Sequence, residues 1–83
     1  MDDRRKRLLY RATHRGTREA DRLVGDYAEA HLLDLDSELL DTFEALLDEA
    51  DVDLVGWIFG RIAPFPAKYR EILTMMIDFQ KNL

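Results

Sequence analysis

Nine residues near the N-terminal end carry side chains whose types and spacing could do chemistry: Arg11, His14, Arg15, Gly16, Thr17, Arg18, Glu19, Asp21 and Arg22. Gly16 sits among arginines, at the point where one helical pattern stops and another begins. Glycine is the usual residue where a helix ends in a left-handed turn, because it has no Cβ to clash. Thr17 can cap the following helix, and Glu19 falls in its first turn, where negative charge suits the helix dipole. The local physics therefore gives a tight helix–helix corner. It also gives a small patch of bare backbone flanked by guanidinium groups and a carboxylate, where another molecule's surface can come close to Gly16. Such a patch offers recognition and not bond-making, so Arg15, Gly16, Glu19, Arg11, His14 and Asp21 are read as partner-binding residues.

Little else in the chain invites catalysis. There is one serine, Ser37, better explained as a helix cap than as a nucleophile. Without cysteine there is neither a disulfide framework nor a thiolate metal site, which fits a reducing compartment. His14 and His31 lie on different helices and in no metal-ligand spacing, so no metal is expected. Phosphate-cradling glycine loops are absent. Asp48, Glu49, Asp51 and Asp53 lack the fixed loop positions of a calcium hand and read as a helix end followed by a helix start. With 83 residues, one small domain is the upper bound, too small to enclose a large cofactor and a catalytic apparatus together.

The net charge of −5 is divided unevenly. Residues 1–22 hold eight Lys and Arg against four acids, a net of +4; residues 23–83 hold four against 13, a net of −9. A basic head on an acidic body favours an acidic partner surface and repels nucleic acid from the body. Arg4, Arg5 and Arg7 are expected to serve encounter and not the fold, as solvated residues of a frayed terminus. Asp2 and Asp3, with no apolar stretch behind the basic run, argue against a secretory or transit leader and for a cytoplasmic protein. Apolar runs are far shorter than the roughly 20 residues of a membrane span.

The elements that must position the corner are helices; strand alternation and hairpin turns are missing. The pattern predicts an all-α bundle of about five short helices in one domain over 1–83. The first runs over 3–14, with Leu8, Leu9 and Ala12 inward and Tyr10 unassigned. The corner follows at 15–19, then a helix over about 17–31 with Ala20, Leu23, Val24, Tyr27 and His31 on one face, weakened by about 1 kcal/mol at Gly25. A third spans 37–50, capped by Asp36 or Ser37, with Leu39, Leu40, Phe43, Leu46, Leu47 and Ala50 inward. The fourth, 52–60, has Asp51 as its cap and is apolar almost all round, so it should be the most buried. Pro64-Phe65-Pro66 makes a stiff corner, and the fifth helix runs over 67–81 with Tyr69, Ile72, Leu73, Met76, Phe79 and Leu83 inward.

Arg15-Gly16-Thr17-Arg18-Glu19 followed by Asp21 resembles the RGxxE signature of the FAD assembly factor family (SdhE and its mitochondrial relatives, the succinate dehydrogenase assembly factors). A second block agrees: Phe43-Glu44-Ala45-Leu46-Leu47, the acids Asp48, Glu49 and Asp51, then Asp53-Leu54-Val55-Gly56-Trp57. Two positions depart from the family pattern. Val52 stands where a proline is common, which loses a helix-starting preference, and His14 stands where many relatives have Arg, which makes the local charge pH-sensitive.

The resemblance implies a helical assembly chaperone, not an enzyme. It would bind the flavoprotein subunit of succinate dehydrogenase, or of fumarate reductase, and promote covalent attachment of FAD to a histidine there. The RGxxE surface would meet the flavoprotein. It also implies that this chain binds no cofactor stably, the FAD being held by the partner, that it contacts no nucleic acid and inserts into no membrane, and that it is a monomer when free. The rival reading is a small helical protein- or nucleic-acid-binding regulatory module using the basic N-terminal surface.

Overall fold

The computed structural model describes residues 1–82. Five α-helices follow one another: α1 Asp3–Thr13, α2 Arg18–His31, α3 Ser37–Leu46, α4 Asp51–Ile58 and α5 Arg70–Lys81, with short 3-10 turns at Leu32–Asp34 and Ala67–Tyr69. Among the described residues there is no strand. Three of the starts have a local cause. The Asp2 side chain accepts from the Arg5 N–H, Thr17 from Ala20 and Asp36 from Leu39, so three of the five helices begin on a side-chain cap. The expected Thr17 cap is in place, and of the two candidates for α3 it is Asp36 that caps.

α1 packs chiefly on α2, and Gly25 explains how closely. A Cβ there would lie 3.0 Å from Thr13 Cγ2 and 3.3 Å from the Ala12 carbonyl oxygen. The helical propensity lost at Gly25 therefore permits the helix crossing that holds the corner. Leu8 and Ala12 of α1, Val24, Tyr27 and Ala28 of α2, Phe43 and Leu46 of α3, and Ile72, Leu73 and Met76 of α5 form one core with α4. Five of the eight residues of α4 are buried (Leu54, Val55, Gly56, Trp57 and Ile58), which makes it the most buried helix, as expected. Its ends are less so: Val52 is 72% exposed and Phe59 39%. Tyr69 donates a 2.6 Å hydrogen bond to Glu49 Oε2, and burial with that bond pushes its pKa from 10 up to about 12. Leu83, expected to face inward, lies outside the described residues.

Three expectations are corrected. α3 stops at Leu46, not residue 50; Leu47–Glu49 form a turn, and Ala50, expected inward, is exposed at the start of α4. Asp51 does not cap α4; it is the first helical residue, and its carboxylate is taken by Arg15. The basic head does not fray. Arg4 bonds Glu44 Oε1 and Asp41 Oδ1, both at 2.6 Å, tying α1 to α3. Arg5 donates to the carbonyls of Leu32 (3.1 Å) and Leu35 (2.6 Å) as well as to Asp2 (2.7 Å). A guanidinium has five donors in a planar fork, so it can take up the free Leu35 carbonyl and share the Leu32 carbonyl with the Leu35 N–H. Lys6 and Arg7 are exposed, as expected.

Candidate functional site

The corner between α1 and α2 is built on a backbone that only glycine adopts easily. Gly16 has φ +106°, and a Cβ placed there would meet nothing within 4 Å. The turn is left-handed, and the space in front of it is open. Thr17 closes the corner by capping α2, and Asp21, one turn into that helix, reaches back to accept from the Arg15 backbone N–H. The carboxylate of Asp21 is thus an internal clasp of the corner.

Arg15 is the second brace, and it corrects the expectation that its side chain is offered to a partner. The guanidinium turns inward and its side chain is only 10% exposed. Nε donates to Asp51 Oδ1 at 2.8 Å, Nη2 to the Glu49 carbonyl at 2.7 Å, and Nη1 to the Leu47 carbonyl. These carbonyls belong to the turn after α3, where a helix end leaves acceptors without intrahelical partners. One side chain therefore ends α3, holds the first residue of α4 and anchors the turn that carries Gly16. The carboxylate partner of Arg15 is Asp51, not Glu19.

The remaining expected residues face outward. Glu19 is exposed. Arg11 pairs with Asp48 at 2.6 Å across an exposed contact. The His14 ring stacks on Tyr10, centroids 4.0 Å apart and 15° from parallel, which leaves Tyr10 64% exposed beside the corner. Gly16, Glu19, His14 and Arg11 thus share the surface, and Arg15 and Asp21 hold it from behind.

Two grooves flank Glu19. One is bordered by Thr17, Asp51, Val52, Arg61 and Ile62. The other runs between α2 and α5 and is bordered by Arg18, Arg22, Leu23, Phe59 and Phe79. Arg18 and Glu19, successive residues of α2, both border this groove. The sequence reading missed this second groove. Its only linear signal was Arg18, Arg22 and Leu23 within two turns of α2, and Phe59 and Phe79 of its apolar wall come from roughly forty and sixty positions further on.

The family model for the flavinator of succinate dehydrogenase, Sdh5, matches residues 6–80. The FAD assembly factor SdhE of Acetobacter pasteurianus is 39% identical over 75 residues, covering 90% of this chain and 69% of that protein. The mitochondrial succinate dehydrogenase assembly factor 2 of Candida glabrata is 36% identical over 86 residues, 99% of this chain and 56% of its own length. Its counterpart in Saccharomyces cerevisiae is 30% identical, with 53% of its length covered. The chain spans about half the length of these fungal relatives. The match over residues 6–80 takes in the corner, its two braces, α2, α3 and α4 whole and most of α1 and α5, and by that match the chain belongs to the Sdh5 family of succinate dehydrogenase flavinators.

Proposed function

We propose that this protein is an assembly factor that docks through the Gly16 corner onto the flavoprotein subunit of succinate dehydrogenase and promotes covalent attachment of FAD to it. The observation that carries this reading is the corner itself: a bare, outward turn at Gly16, clamped from behind by the inward-turned Arg15 and by Asp21. A clamped surface loses little conformational freedom on docking, so more of the contact free energy is left to act on the partner. Membership of the flavinator family supports the partner, and the names of the relatives support the role.

The mechanism asks little chemistry of this chain. FAD is the cargo, held by the flavoprotein, which also supplies the acceptor histidine. A helper that binds the reactive arrangement of flavoprotein domains more tightly than the others raises its population, and a difference of about 3 kcal/mol raises the ratio roughly a hundredfold. Positioning alone is worth large factors in a reaction of two held groups. The protein is accordingly read as a chaperone without turnover of its own, acting in the cytoplasm as a monomer, and a fumarate reductase flavoprotein is a second candidate client. The nucleic-acid reading loses ground, because Arg4, Arg5, Arg11 and Arg15 are already paired with carboxylates on this chain and the Arg15 side chain turns inward.

The test is reconstitution. Purified flavoprotein subunit lacking covalent flavin is incubated with FAD, with and without this protein, and covalent flavin is read by fluorescence of the band in a denaturing gel. Faster or more complete labelling in its presence is expected. Equal labelling in both samples would overturn the reading.

A further inference from the structure

The acids Asp48, Glu49 and Asp51 form no part of the bare face at Gly16, yet one of them governs where that face lies. Gly16 has no side chain with which to fix its own position, so its place is set by its neighbours. Asp21 accepts from the Arg15 backbone N–H and Thr17 caps α2, and both hold the corner to the start of α2. The Arg15 side chain ties the corner to the other side of the molecule, through Asp51 Oδ1 at 2.8 Å and the Glu49 carbonyl at 2.7 Å. Arg11 and Asp48 span the same gap, but their side chains are 38% and 74% exposed, and water and salt screen the pair. In the Arg15–Asp51 pair the side chains are 10% and 22% exposed, so it is screened much less.

Asp51 is the charged member of the acceptor set around Arg15; the other two are main-chain carbonyls, of Leu47 and Glu49. Without it the guanidinium, mostly out of water, is left with neutral acceptors alone. A charge so placed is costly, and the side chain relieves the cost by turning towards solvent. Because Arg15 precedes Gly16 directly, that turn moves the corner. Asp51 also has an ordinary use. It stands in the first turn of α4 with Asp53, where negative charge suits the helix dipole and where Ala50 supplies no side-chain cap. That use asks no particular direction of the carboxylate, whereas the bond to Arg15 Nε does.

We infer that Asp51 is a positioning residue for docking: it holds Arg15 inward and thereby keeps the bare face of Gly16 where the client flavoprotein meets it, without touching the client itself. The inference rests on the docking function proposed above. It gives the second sequence block, 36 positions beyond Arg15, a part in docking that its place in the chain does not suggest. A corner that is in place only part of the time binds with an affinity reduced by that fraction. The effect therefore shows in client affinity and in the local protection of the corner, ahead of any loss of helix.

The test is calorimetric titration of the purified flavoprotein subunit with the full chain, below the melting transition of every variant. Asp51→Ala is expected to weaken binding about tenfold, as for a corner in place about a tenth of the time. Asp51→Asn, which keeps an oxygen for Arg15, should weaken it less. Hydrogen exchange of the Arg15 amide, which is bonded to Asp21, should quicken in the same order relative to the Leu73 amide of α5. Two controls are expected to bind as the wild type does: Asp53→Ala, which removes the other charge at the start of α4, and Ile72→Val, a buried change in α5. Unchanged affinity in Asp51→Ala, or an equal loss in either control at a similar fall in melting temperature, would overturn the positioning role. So would weakened binding with Arg15 exchange unchanged, because Asp51 would then meet the client directly. If Asp51→Ala does not fold, Asp51→Asn decides by the same readouts. Loss of binding in Gly16→Arg beside wild-type binding in Asp51→Ala would leave the docking corner standing without this support. A wild-type chain that does not bind would overturn both.

Discussion

Arg15 and Gly16 are neighbours in the chain with opposite surroundings. Arg15 reaches inward to three acceptors on the turn after α3 and the start of α4. Gly16 meets nothing within 4 Å. The same five-residue stretch therefore holds a structural half and a contact half, and a loss of function in either has a different physical cause. A fold lesson follows: a surface that must stay bare and fixed needs its brace behind it, and here the brace is the residue next door.

The comparison breaks most visibly at Arg15. Arg15→Ala leaves the Asp51 carboxylate and two carbonyls without their donor, at a cost of about 3 kcal/mol. That is a large part of the stability of so small a domain. Arg15→Lys should recover only part of it, because a point ammonium cannot span three acceptors as a planar fork does. Urea unfolding followed by circular dichroism checks both; wild-type stability in Arg15→Ala would show that the guanidinium is not a brace.

A second inward test concerns the basic head. Arg5→Ser removes donors from the Leu32 and Leu35 carbonyls and should cost about 1–2 kcal/mol. Arg4→Ser should cost less, because its ion pairs are exposed and screened. Melting of the two variants should rank them in that order.

The smallest inward effect is pH-dependent. Tyr69 in the folded state ionises near 12 and not near 10, through burial and its bond to Glu49. Its raised pKa contributes stability that is complete below pH 10 and lost as pH rises towards about 12. Tyr69→Phe should flatten the alkaline decline of stability across that window. An identical decline in both proteins would place its cause elsewhere.

Much of the fold was legible in the sequence because its signals are local. Asp36, Thr17 and Gly16 announce helix starts and a turn, and the apolar run around Trp57 announces the buried helix. The family resemblance lay in the Arg15–Glu19 and Phe43–Trp57 blocks, and the match over residues 6–80 bears it out. What escaped was direction. Whether Arg15 points out or in depends on Asp51, 36 residues later, and on carbonyls that exist as acceptors only because α3 ends early. The same holds for Arg4 and Arg5, whose partners lie beyond residue 30. The 37–50 helix was read too long for a related reason: nothing local stops it, and the stop comes with the arginine that takes its end carbonyls.

The most direct measurement is made on Gly16→Arg. The substitution puts a side chain at a positive φ and should cost about 1 kcal/mol, leaving the helical circular dichroism intact and the melting temperature only slightly lowered. In cells carrying this variant, covalent flavin fluorescence of the flavoprotein band in a denaturing gel should fall to the level of cells without the protein. Glu19→Ala, which removes one polar contact and inserts nothing, should lower it only in part. Undiminished flavin fluorescence with folded Gly16→Arg protein would contradict the account, because the bare face of the corner would then not be where the flavoprotein docks.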